Sequence, residues 1–88
     1  MTDRWVLLIH RRARKELDAL GRSMKARVVA AIDCLTDEPR PFGCAKLRPQ
    51  VETYRLRVGD YRIIYIVSDR DKTVTILRVK HRQGAHKD

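Results

Sequence analysis

Apolar and polar positions along this chain follow two different periods, and the switch between them divides the sequence. From Arg4 to His10 the residues Trp5, Val6, Leu7, Leu8 and Ile9 form an almost unbroken apolar run. So short a continuous run reads as a strand buried on both faces. Ala13, Leu17 and Leu20 then recur at i, i+4 and i+7, one face of a helix. Gly21 is placed to stop it, and Ser23 to cap a second helix with the stripe Met24, Val28, Ala31, Leu35 and Ile32 alongside. Pro39 and Pro41 end that stretch. A connection of a few residues makes the two helices an antiparallel hairpin. Between Asp37 and Ala45 the composition turns to Pro, Gly and charge, as in a surface loop.

From Val51 onward the period is two. Tyr54, Leu56 and Val58 alternate with Arg55 and Arg57, and Gly59-Asp60 is a glycine-first turn of type I′ or II′. Tyr61 to Ser68 reads as the next strand, Asp69 to Lys72 as a turn, and Thr73 to Val79 as the last strand. Lys80 to Asp88 reads as a polar tail. The expected fold is α+β, ordered β-α-α-β-β-β. An N-terminal strand and the antiparallel helical hairpin precede a three-stranded antiparallel meander, all in one domain over residues 1–88.

A two-residue turn fixes the hairpin register. Val58 faces Tyr61, Arg57 faces Arg62, Leu56 faces Ile63, Arg55 faces Ile64 and Tyr54 faces Tyr65. Side chains alternate, so Tyr54, Leu56, Val58, Tyr61, Ile63, Tyr65 and Val67 form a core face for the helices to cover. Arg55, Arg57 and Arg62 share the other face with Ile64 and Ile66. A four-residue second turn adds Leu77 and Val79 to it. The same count puts Arg78 among the core residues, which requires either a bulge or a place at the rim. Arg57 opposite Arg62 destabilises the pair, and a local fault of this kind points to function. A solvated polar face with arginine stems lying along the sheet explains one arginine better than three.

Charge widens the reading. The 88 residues carry 20 Lys and Arg against 11 Asp and Glu, a formal +9. Such an excess favours polyanions without choosing among DNA, RNA, anionic lipid and acidic protein. With 43% hydrophobic residues the chain is expected to fold. Its apolar runs are too short for a membrane span or signal-peptide core, so a cytoplasmic location is expected. Cys34, within the helical pattern, and Cys44, in the loop, lack the spacing of a zinc site and read as reduced thiols.

RNA is cut without metal when its 2′-hydroxyl attacks the neighbouring phosphate. Arginine suits stabilisation of the charge that builds on phosphorus, because its planar fork stays ionised and binds phosphate bidentately. It is a poor proton carrier for the same reason. His81, His86 and, with a lowered pKa, Lys80 are the candidates for that task, and His10 reads as a capping or surface residue.

The run Tyr54-Arg55-Leu56-Arg57-Val58-Gly59-Asp60-Tyr61-Arg62-Ile63-Ile64-Tyr65 resembles the signature of the RelE/ParE toxin superfamily. Ile76-Leu77-Arg78-Val79-Lys80-His81-Arg82 is similar to that family's final strand and catalytic tail. The resemblance extends over the whole chain. It implies a toxin of the RelE branch, a ribosome-dependent endoribonuclease that cleaves mRNA in the A site without metal or cofactor, neutralised by a cognate antitoxin. By position it implies that Arg55, Arg57, Arg62 and Arg82 grip the scissile phosphate, and His86 stands where the family often has a tyrosine. Lys46, Arg48, Lys80 and His81 are further candidates for RNA contact. Ile64, Leu77 and Arg57 are the expected antitoxin contacts. The alternatives are a ParE-like inhibitor of DNA gyrase, and a non-catalytic basic protein that binds RNA or the ribosome.

Overall fold

A computed structural model describes residues 4–48 and 51–82. The elements are β1 (Val6–Ile9), α1 (Arg11–Asp18), α2 (Arg22–Leu35), β2 (Ala45–Arg48), β3 (Thr53–Val58), β4 (Tyr61–Ser68) and β5 (Thr73–His81). They build one five-stranded sheet in the order β1-β5-β4-β3-β2. β1 runs parallel to β5, and the remaining neighbours are antiparallel. This is the expected α+β architecture with one strand more.

The extra strand, β2, lies in the stretch whose composition gave no period. Four residues with a register shift between Lys46 and Arg48 are too few to display alternation. β2 is held from outside by its pairing with β3, not by its own pattern.

One face of the sheet is covered by the helices. Tyr54, Ile63, Tyr65, Val67, Val74, Ile76 and Val79 meet Ala13, Leu17, Val28, Ile32 and Leu35 in a single buried cluster. Full burial of side chains such as Leu35, Ile63 and Ile76 contributes about 1.5–3 kcal/mol each. The two tyrosines also carry polar ends. Their rings stack with centroids 5.8 Å apart, the Tyr65 hydroxyl donates to the Pro39 carbonyl at 2.9 Å, and Arg40 donates to the Tyr54 hydroxyl at 2.7 Å. Arg40 reaches on to Asp69 and Glu52, so the loop after α2 is tied to the sheet by one guanidinium.

Several local expectations need correction. Gly21 does not end α1: the C-cap is Ala19, and Gly21, at φ −62°, is the N-cap of α2. Ser23 accordingly lies inside the first turn of α2 instead of capping it. His10 does cap α1, its Nδ1 accepting from the Arg12 amide at 3.1 Å. β1 is buried on one side only. As an edge strand beside β5 it turns Leu7 and Ile9 toward the core and leaves Val6 55% and Leu8 48% exposed. The last strand runs two residues past Val79, to His81, so the polar tail begins later than its composition suggests.

The hairpin register holds pair for pair, from Tyr54↔Tyr65 to Val58↔Tyr61. Gly59 has φ +58° while Asp60 is not left-handed, as a type II′ turn requires. A Cβ there would also stand 3.1 Å from Met24 Cε of α2, so the turn packs where only glycine fits without adjustment.

Candidate phosphate-binding face

Among the described residues the sheet's second face is open, and the register decides what stands on it. Across β3, β4 and β5, Arg57 faces Arg62 and Arg62 faces Lys80, three cations abreast. One row further along, Arg55 faces Ile64 and Ile64 faces Arg78. Like charges on neighbouring strands cost on the order of 0.2–1 kcal/mol per pair. Arg62 adds a second cost: its Nε is buried and has no hydrogen-bond partner among the described residues. An unpaired buried donor costs roughly 1–3 kcal/mol, more when charged, unless an acceptor is supplied.

Lys80 reaches this row through a bulge. Ile64 opposes Arg78 but Tyr65 opposes Ile76, so Leu77 is the additional residue. The bulge reverses the parity of the rest of β5. Val79, expected on the open face, is 3% exposed in the core, while Arg78 leaves the core face. Of the two expectations for Arg78, the bulge is the correct one.

Arg78 is held at the junction by Glu16 of α1. Its Nε lies 3.1 Å from both carboxylate oxygens and its Nη2 2.7 Å from Oε2, and the Val79 amide donates to Oε1 at 2.8 Å. Burial works against ionisation of Glu16. The hydrogen bonds from Arg78 and Val79 and the charges of Arg78 and Arg12 outweigh it, holding the carboxyl below its ordinary range. The pKa of Lys80 is lowered too, which in a lysine favours the neutral form. Burial, then the positive charges of Arg78, Arg12 and Arg62, lower its pKa against the opposing pull of Glu16.

Beside the row lies a groove of about 370 Å³. It is lined by the aliphatic Leu47, Val51, Ile64, Ile66 and Leu77 together with Thr53 and the basic Arg48, Arg78 and Lys80. Leu47 and Arg48 both reach it because the irregularity in β2 breaks strict alternation. Arg82 follows β5 at the hairpin end, its amide donating to the Asp60 carbonyl at 2.7 Å and its Nε 3.9 Å from the Asp60 carboxylate.

Not every candidate residue joins this face. Lys46 pairs with Tyr54 on the helix side and lies 3.5 Å from Glu52. His81 pairs with Tyr61, also on the helix side, and meets that ring edge-on with centroids 5.1 Å apart. His86 lies outside the described residues. Glu16, which no motif singled out, is the residue that sequence reasoning missed. The signal was Arg78 itself, since an arginine at a core parity implies a carboxylate nearby.

The architecture is that of RelE-type toxins. The RelE–RelB complex of Pyrococcus horikoshii contains a chain 37% identical to this one, with a TM-score of 0.80 over 93% of this chain and 97% of that one. The RelBE2 toxin–antitoxin complex of Mycobacterium tuberculosis gives 32% identity and a TM-score of 0.78 over 93% and 95%. The toxin RelG of M. tuberculosis is 37% identical over 76 residues, 85% of this chain and 87% of that protein. Residues 7–85 match the sequence model of the ParE toxin of type II toxin–antitoxin systems, parDE. The chain belongs to this toxin family, within the RelE/ParE superfamily.

Proposed function

We propose that the open face binds the backbone of mRNA in the ribosomal A site and cleaves it, the protein acting as a RelE-like, metal-independent endoribonuclease. The observation that carries this reading is the Arg57–Arg62–Lys80 row, with the buried Arg62 Nε lacking an acceptor among the described residues. A phosphate placed over it would supply that acceptor and relieve the repulsion between the cations. In the reaction the 2′-oxygen bonds to phosphorus and the bond to O5′ breaks. The products are a 2′,3′-cyclic phosphate and a 5′-hydroxyl. One proton leaves the 2′-hydroxyl and one is delivered to O5′. Arg55, Arg57, Arg62 and Arg82 stabilise the charge on the transferring phosphate. The lowered pKa of Lys80 suits it to give up a proton, and His86 is the second proton carrier.

The antitoxin would cover the same face. RelE chains of P. horikoshii and M. tuberculosis were solved in complexes with antitoxin. A segment of apolar and acidic residues would fit the aliphatic lining at Ile64 and Leu77 beside Arg57. The match to the parDE toxin model favours a second reading, inhibition of DNA gyrase.

Purified protein added to a translating extract separates the two. Cleavage of mRNA at codons within the ribosome is the expected outcome. Intact mRNA with arrested supercoiling would replace the nuclease reading by the gyrase one.

A further inference from the structure

β1 ends at Ile9, opposite Ile76, and α1 begins two residues later. From Leu77 onward β5 therefore continues without β1 at its side. This is the point at which the bulge occurs, and the place where Glu16 bonds both residues that follow it, Arg78 and Val79. The bulge acts as a parity switch. With it, Lys80 stands opposite Arg62 on the open face and Val79 is in the core; without it, the two would exchange faces. The sequence from Thr73 to Ile76 does not specify that change, because Val74 and Ile76 alternate into the core as in a regular strand.

We infer that Glu16 is a positioning residue for the candidate site: by bonding the Arg78 side chain and the Val79 amide it locks the β5 bulge and thereby sets Lys80 into the cation row. This rests on the proposed use of the open face, but its structural content stands apart from it. The carboxylate does two things at once. It supplies an acceptor to a backbone N–H that β1 is too short to reach. It also holds the Arg78 guanidinium on α1, apart from the row in which Arg57, Arg62 and Lys80 stand abreast. Both ion-pair partners are about three-quarters buried, 25% and 23% exposed, so the contact is shielded more than a surface pair. Glu16 is not itself a proton carrier, since all its contacts hold the ionised form in place.

Two conservative variants of the full chain separate geometry from charge. Glu16→Gln removes the charge but keeps an acceptor at the same reach. Glu16→Asp keeps the charge but withdraws it by one methylene from Val79. If Glu16 positions the strand, Glu16→Gln should cleave ribosome-bound mRNA within about threefold of wild type, while Glu16→Asp should be about tenfold slower at saturation. Half-saturation should change less than about twofold in both. A role in charge neutralisation alone gives the reverse order, Asp above Gln, and would overturn the inference. So would wild-type rates in both variants.

A second readout needs no catalysis. Cross-strand nuclear Overhauser contacts between Arg62 and Lys80 should persist in Glu16→Gln and weaken or vanish in Glu16→Asp and Glu16→Ala. Their survival in all three overturns the inference even if wild type cleaves nothing. Failure of the wild type to cleave, with these contacts behaving as expected, counts against the nuclease reading alone. Should Glu16→Ala not fold, the Gln and Asp pair decides.

Discussion

The two faces of the sheet are made by the same strands and obey opposite rules. On the helix side, Ile63, Tyr65, Val74 and Ile76 are fully buried, and the tyrosine hydroxyls have partners in Pro39 and Arg40. On the open side, neighbouring side chains carry like charges, and among the described residues an arginine N–H is buried without an acceptor and aliphatic residues line a groove. One face is satisfied by the folded chain alone; the other, on the function proposed above, is completed by what it binds. Alternation along a strand lets both demands be met within six residues of β3, because adjacent positions never share a surface.

The contrast can be broken by pairs of neighbouring substitutions. Arg62→Ala should slow mRNA cleavage by about 10²–10³-fold with no loss of stability, since it removes two like-charge pairs and an unsatisfied buried donor. Ile63→Ala, one position along on the other face, should cost about 2–5 kcal/mol of stability in denaturant titrations. Loss of the fold in Arg62→Ala would erase the distinction between the faces.

Acid should sharpen the contrast from another side. The folded pKa of Glu16 lies below the ordinary 4.5, so protonation favours the unfolded chain. Its contribution is therefore full above that value and disappears as pH falls through the folded one. Hydrogen bonds from Tyr54 and Arg40 to Glu52, and from Arg40 to Asp69, shift those carboxyls the same way. Thermal unfolding of wild type and Glu16→Gln should thus converge as the pH falls below the ordinary glutamate range. A constant difference would show that Glu16 titrates elsewhere.

The smallest effect is the most diagnostic. Arg57→Thr should raise stability by about 0.2–1 kcal/mol, since it removes a like charge opposite Arg62. A loss of stability would mean that the arginines support the sheet.

Legibility in the sequence followed the range of the interactions. The β3–β4 register was readable because Gly59 fixes a two-residue turn and everything after it counts outward from there. The arginine row was readable for the same reason. β2 was not, because a four-residue strand with a register shift takes its shape from β3. The bulge in β5 was legible only as one of two ways to place Arg78; its position at Leu77 was not, because the carboxylate that bonds Val79 lies on α1, more than sixty positions earlier. The face of β1 was misjudged because apolar content alone does not reveal that a strand lies at an edge. His81 and Lys46 were legible as basic residues, but not as residues of the helix side. That assignment depends on the β5 bulge and on pairing with Tyr54.

The position of β5 between β1 and β4 has a consequence in time. Of the described elements it is the last to leave a ribosome, yet the sheet cannot close around β1 without it. The contacts that join Glu16 to Val79 and Arg62 to Lys80 all wait for that strand. A partly synthesised copy therefore has its arginines on β3 and β4 but no completed row. The row is complete only once nearly the whole described chain is free, after the machine that made it has finished reading that part of the message.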